Sequence, residues 1–247
     1  MTPTGIAVQD VPDVESYRPQ HQFLDQCVRG DGRTDSVRAL QRYFNQDPTV
    51  GGLYAGRGFE RFDSGGDAAA VRDQITAADV LALTFLSITD RLPQVALAVT
   101  VANADRITDL LRQIPADVTM HEVGWAVYAP DSPASELWRF LKQCGGKDRW
   151  VAANKLLARK RPHLLPVYDS KVQALLNRPD SIWACLWTWF DSDPSRTVAV
   201  AELRSEAGGI EDISLLRCVD VILWMQAMSG SLSRRRTDPT TTNGPTS

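Results

Sequence analysis

Between residues 34 and 228 the apolar side chains recur at helical spacing, in short runs closed by proline, glycine or a capping residue. Strictly alternating stretches are few, so a sheet has little to be built from. Val37, Leu40, Tyr43 and Phe44 form one helical face, with Thr34 or Asp35 as its N-cap. Thr76 stands before AADVLALTFLS, an alanine- and leucine-rich run suited to a buried helix. A helix over 104–114 stops at Pro115, and Asp131, Ser132 and Pro133 open the next, with proline in its first turn. Further helices are predicted at Trp150 to Lys160, Ser170 to Leu176, Ile182 to Phe190, Ser195 to Glu206 and Ile213 to Met228. The glycine-rich stretch with Leu53, Tyr54, Phe59 and Phe62 reads as a loop or short hairpin, and 118–128 as strand-like. The expected class is mainly α: a compact body of about nine helices over 34–228, one- or two-lobed, with at most a small β element. Residues 1–33 are expected to be poorly ordered or extended, and 229–247 to form a disordered tail.

Several function classes drop out. With 43% hydrophobic residues the 247-residue chain can build a core without metal or disulfide staples. No run approaches the roughly 18 apolar residues of a membrane span, and the N-terminus lacks a secretory signal pattern. Cys27, Cys144, Cys185 and Cys218 lie far apart, as do His21, His121 and His163, so no metal site is expected. Buried or free thiols in a reducing cytoplasm are the expectation. Phosphate loops and nucleophile elbows are missing, and no cofactor is implied. Trp183 and Trp187 share a helix face at i, i+4, which suits a core more than a ligand platform.

The segment KDRWVAANKLLARKRPHLLPVYDSKV, residues 147–172, carries the functional information. From Lys142 to Lys171 there are eight cations and two anions, a local charge of +6 in a chain of −3. Such a stripe is the electrostatic footprint of a phosphate-backbone reader, or else a solvated helix face. A DNA partner would be met by Lys147, Arg149, Lys155, Arg159, Lys160, Arg161 and Lys171. The triple arginine Arg234 to Arg236 reads as part of a solvated tail. Asp169 falls at the N-cap of the helix that starts at Ser170, where the helix dipole favours an anion. An aspartate there needs no catalytic task to explain it.

The Val-Ala-Ala-Asn-Lys helix core, the proline-bearing turn and the Pro-Val-Tyr-Asp-Ser-Lys-Val that follows resemble the active-site half of helix-hairpin-helix DNA glycosylases. In that superfamily an aspartate follows a helical alanine by about sixteen residues, as Asp169 follows Ala153 here. The resemblance implies a monofunctional N-glycosidic hydrolase with Asp169 as its carboxylate and Tyr168 at the site mouth. It departs from the family at Lys147 and Arg149, where hairpin glycines are expected. It departs again at Val151, where bifunctional members carry a Schiff-base lysine. No lyase activity and no iron–sulfur cluster follow. Through FERF, TAADVLALTFLS, KLLARKRPHLLPVYDS and DVILWM the chain also resembles an uncharacterised actinobacterial family catalogued as a domain of unknown function. Two readings stay open: a nucleic-acid-binding protein, either a base-excision enzyme or its degenerate relative, and a non-enzymatic interaction or structural module.

Overall fold

A computed structural model describes residues 11–44, 54–144 and 148–237, with side chains described up to Ser229. It is 66% helical, with eleven α-helices and no strand among the described residues. In chain order these are α1 (Arg18–Val28), α2 (Arg33–Phe44), α3 (Ala77–Phe85), α4 (Leu92–Leu97), α5 (Ala104–Gln113) and α6 (Pro133–Gln143). Then come α7 (Trp150–Lys160), α8 (Ser170–Leu175), α9 (Ile182–Ser192), α10 (Ser195–Ala207) and α11 (Leu215–Thr237). None is long and apolar enough to cross a membrane. Three caps are those the local sequence calls for, whereas Thr34 and Asp35, expected to cap α2, lie inside it because the helix already starts at Arg33. Thr76 and Asp79 close a reciprocal capping box on α3, Ser132 caps α6, and Asp169 caps α8 through the Lys171 and Val172 amides.

Two helices lie where none was expected. α1 occupies part of the segment 1–33, burying His21, Leu24, Cys27 and Val28 after a 3-10 turn at Val14–Tyr17. The six-residue α4 passes into a π turn at Ala98–Ala102. Both carry proline in the first turn, Pro19 and Pro93, a start signal that the apolar periodicity alone does not show. The strand-like run 118–128 folds instead as two 3-10 turns, Met120–Glu122 and Trp125–Val127. The loop or hairpin expected after α2 is likewise a pair of 3-10 turns in its described part, Ala55–Gly58 and Phe62–Ser64. Beyond Met228, where a tail was expected from 229, α11 continues to Thr237 because propagating an existing helix is cheap. Arg234 to Arg236 lie on this extension, beyond the described side chains.

α7 organises the molecule. Every residue from Ala152 to Lys160 is buried. It packs between α3 and α6, and the largest apolar cluster takes in residues of both neighbours as well as of α9, α10 and α11. Trp183 and Trp187 lie in that cluster, as their shared face indicates, and Trp189 lies there too. The approach to α7 is tight at Gly66. A Cβ built there would stand 2.5 Å from the Arg159 carbonyl oxygen and 2.7 Å from its Cγ. Backbone cannot yield as a side-chain tip can, so Gly66→Ala is expected to cost about 1–3 kcal/mol of stability. A urea-unfolding midpoint equal to wild type would show that the 54–76 segment does not hold α7 this closely.

Candidate functional site

The basic stripe is turned inward. Arg159, Lys160 and Arg161 are each 1% exposed, and Lys155 is 4% exposed. Arg159 donates to Asp79 Oδ1 at 3.1 Å and to the Phe59 and Phe62 carbonyls. Lys160 donates to Asp79 Oδ2 at 3.0 Å and to the Val71 carbonyl at 2.8 Å. Arg161 holds the Ile114 and Leu111 carbonyls at the end of α5, and pairs with Asp73 at 2.8 Å. These three cations therefore tie α7 to α3, α5 and the intervening loops. The phosphate contacts expected of them are corrected on this ground: a DNA strand cannot reach donors closed off by their own protein partners.

The other basic candidates are scattered. Arg149, at the start of α7, bonds the Asp90 carbonyl at 3.0 Å and its carboxylate at 3.1 Å. Lys147 lies outside the described residues. Lys171 is exposed, with its Nζ 5.3 Å above the Trp224 ring.

Lys155 has a different setting. It lines a cavity of about 250 Å³ together with Tyr43, Tyr54, Asp169, Arg217, Asp220 and Trp224. α2, α3, α7 and α11 and the Ala55–Gly58 turn supply its walls. Tyr43 and Tyr54 stack at 5.1 Å, and Trp224 meets both edge-on. Arg217 braces this wall by bonding the Tyr43 hydroxyl at 2.8 Å, the Gly56 carbonyl at 2.9 Å and the Asp220 carboxylate. Buried Glu60 accepts from the Ser214 amide at 2.9 Å, fixing the same turn to the start of α11.

The two oxygens of Asp169 have separate tasks. Oδ1 accepts from the amides of Lys171 and Val172 at 3.0 and 3.1 Å. Oδ2 lies 3.8 Å from the Lys155 ammonium, which also donates to the Leu86 carbonyl at 2.9 Å. One carboxylate thus caps a helix and lines a cleft. Its neighbour Tyr168 goes the other way: its ring packs 5.7 Å from Trp150, in a second cavity across α7. Tyr168 and Asp169 do not share a pocket, which corrects the placing of Tyr168 at the mouth of the Asp169 site.

Burial sets the electrostatics. It pulls the Lys155 ammonium below its ordinary value, with Asp169 and Asp220 opposing. It also pushes the Asp220 carboxyl up to about 6, against the pull of Arg217. For Lys155 the sign follows from linkage. Between its lowered folded value and the ordinary lysine value of 10.5 the unfolded chain binds more protons, so this residue's contribution to stability rises with pH. We expect the stability difference between wild type and Lys155→Met to shift in favour of wild type from pH 7 to pH 10, measured by urea unfolding. A pH-independent difference would place Lys155 in solvent.

No local motif marks Asp220, Arg217, Tyr43 and Trp224 as site residues. The only hint was the DVILWM phrase, which places Asp220 and Trp224 one helical turn apart. Among the described residues no group of three or more histidine, cysteine or acidic side chains is arranged to hold a metal. All four cysteines are buried and free. Comparison with curated proteins and with solved structures finds no match. The model of one family does match, over residues 36–227, which takes in α7, Asp169 and both cavities. The chain belongs to the family of unknown function DUF6308.

Proposed function

We propose that the chain is an N-glycosidic hydrolase of helix-hairpin-helix glycosylase type, taking a nucleobase and its sugar into the cavity walled by Tyr54 and Trp224. The observation that carries this reading is the position of Asp169 Oδ2, which lines that cavity 3.8 Å from Lys155 Nζ. As the C1′–N bond breaks, its electron pair leaves with the base and the sugar becomes cationic. A fixed carboxylate beside the sugar stabilises that cation and accepts a proton from the attacking water. Lys155, whose ammonium is held less firmly because it is buried, delivers a proton to the departing base. The rings give the base a stacking surface that offsets the cost of taking it from a duplex. Lys171, exposed beside Trp224, remains for contact with DNA, and Lys147 belongs to the same proposal, whereas Arg149 is committed to Asp90.

The test is base release from alkylated, oxidised and deaminated duplexes and from the corresponding free nucleosides, with Asp169→Asn as the control. Release by wild type that disappears in the variant supports the reading. Wild-type inactivity on the whole panel rejects it.

The non-enzymatic reading is favoured by the Oδ1 contacts alone, since an aspartate accepting two helix amides is explained as a cap. It expects Asp169→Ala to lower stability by about 1 kcal/mol and to change nothing else.

A further inference from the structure

On the other side of α7 lies a larger cavity, of about 440 Å³. Six aromatic rings line it: Trp125, Tyr128, Trp138, Trp150, Tyr168 and Trp183. They come from the 3-10 turn at Trp125–Val127 and its flank, from α6 and α7, and from the starts of α8 and α9. Within the wall, Trp125 and Tyr128 lie 5.8 Å apart, Tyr128 and Trp183 6.2 Å, and Trp150 and Tyr168 5.7 Å. The flat faces suit a flat occupant.

Two polar atoms of this wall stand out. The Trp138 indole N–H and the Tyr168 hydroxyl are buried, and neither has a hydrogen-bond partner among the described residues. Tyr168 as a whole is only 5% exposed. Gln173 influences its hydroxyl but closes no hydrogen bond of acceptable geometry. Three other ring donors of this protein are satisfied, although among the described residues five further buried side-chain atoms outside this cavity, Ser36 Oγ and Thr197 Oγ1 included, are not. The Trp187 indole donates to the Val123 carbonyl at 2.8 Å, the Trp189 indole to Asp25 at 2.9 Å, and the Tyr128 hydroxyl to the Leu164 carbonyl at 3.2 Å. A buried donor left without an acceptor costs stability, so its retention at a cavity wall marks a place for a ligand's acceptor.

The chemistry selects the occupant. An indole N–H only donates, so it must meet an acceptor and gains nothing from a cation. A quaternary ammonium would satisfy the rings and leave Trp138 unpaired. Lys142 and Asp180 line the cavity with opposite signs, so its wall carries no net formal charge. We propose that this cavity binds a neutral, planar molecule of one or two fused rings bearing a carbonyl or ring-nitrogen acceptor, bonded to Trp138 Nε1 and the Tyr168 hydroxyl. This site is separate from the Asp169 cavity, and its occupancy does not depend on any activity there.

The test uses the full chain, labelled with ¹⁵N, and follows the indole N–H resonances. The Trp138 peak is assigned as the one lost in Trp138→Phe. Coumarin is the probe, naphthalene the ring of similar size without an acceptor, and tetramethylammonium the cation. Coumarin is expected to move the Trp138 resonance downfield and saturably. Trp138→Phe and Tyr168→Phe should each weaken coumarin binding by about tenfold. Naphthalene should bind at least about tenfold more weakly than coumarin. Tyr168→Phe loses no internal hydrogen bond, so its thermal midpoint should equal or exceed that of wild type. Should either variant fail to fold, the comparison of the three probes on wild type still decides. Any of three results overturns the proposal: no saturable shift with coumarin, equal binding of naphthalene, or a saturable response to tetramethylammonium.

Discussion

Replacing Asp79 with alanine is expected to destabilise the fold by about 3–5 kcal/mol. Its carboxylate is 1% exposed and sits between two buried cations, the Arg159 guanidinium on one oxygen and the Lys160 ammonium on the other. The same carboxylate accepts from the Thr76 amide at 2.9 Å, so it also closes the α3 capping box. Removing it leaves Arg159 with backbone carbonyls and Lys160 with a single one, neither of which cancels a charge. Breaking one side of a buried ion pair costs more than the pair itself contributes, because the remaining charge stays in a poorly solvating medium. For a chain of this size the loss corresponds to a fall in Tm of roughly 6–20 °C. Asp79→Asn, which can keep the cap contacts, should fall between alanine and wild type. Arg38→Ala removes a solvent-exposed pair with Asp35 and should change stability by less than about 1 kcal/mol. If Asp79→Ala unfolds within about 1 kcal/mol of wild type, Arg159 and Lys160 are not internal ties, and their role as a nucleic-acid surface reopens.

Asp169→Asn should cut base release by about 10²–10³-fold while leaving the fold nearly intact. Asparagine is as good an N-cap as aspartate, so the contacts to the Lys171 and Val172 amides survive the change. What is lost is the negative charge facing the cavity and Lys155. The substitution therefore separates the two tasks that one side chain performs. A fall in turnover with an unchanged unfolding midpoint assigns chemistry to Oδ2. An equal loss of stability and turnover would reduce Asp169 to its cap. Unaltered turnover in the variant would place any hydrolysis elsewhere.

The two substitutions probe parts of the chain whose local sequence is unequally informative. Helix starts were legible because a cap acts within three or four residues. Thr76, Ser132 and Asp169 each bond an amide of their own first turn. The turn-to-helix stretch ending in Pro-Val-Tyr-Asp-Ser was legible as a unit for the same reason. α1 and α4 were less so, since their main local sign was a proline and their faces are short. The candidate site was legible only in part. Asp169 and Lys155 belong to the motif, whereas Tyr43, Arg217 and Asp220 reach the cavity from α2 and α11, with no spacing rule to join them.

The charge of the 142–171 stretch marks the boundary between the two kinds of information. Local pattern is enough to give a helical chain, most of its helix boundaries, the cap at Asp169 and a local excess of cations. What those cations face is set by long-range packing. Asp79 lies 80 residues from Arg159, and Asp73 lies 88 from Arg161. Periodicity and capping are settled by neighbours within a helical turn. The meaning of a charge depends on how far it is from water and on which opposite charge the fold brings beside it. A basic helix face and a buried set of ion-paired ties have the same one-dimensional pattern, and burial of α7 on all sides makes this one the second.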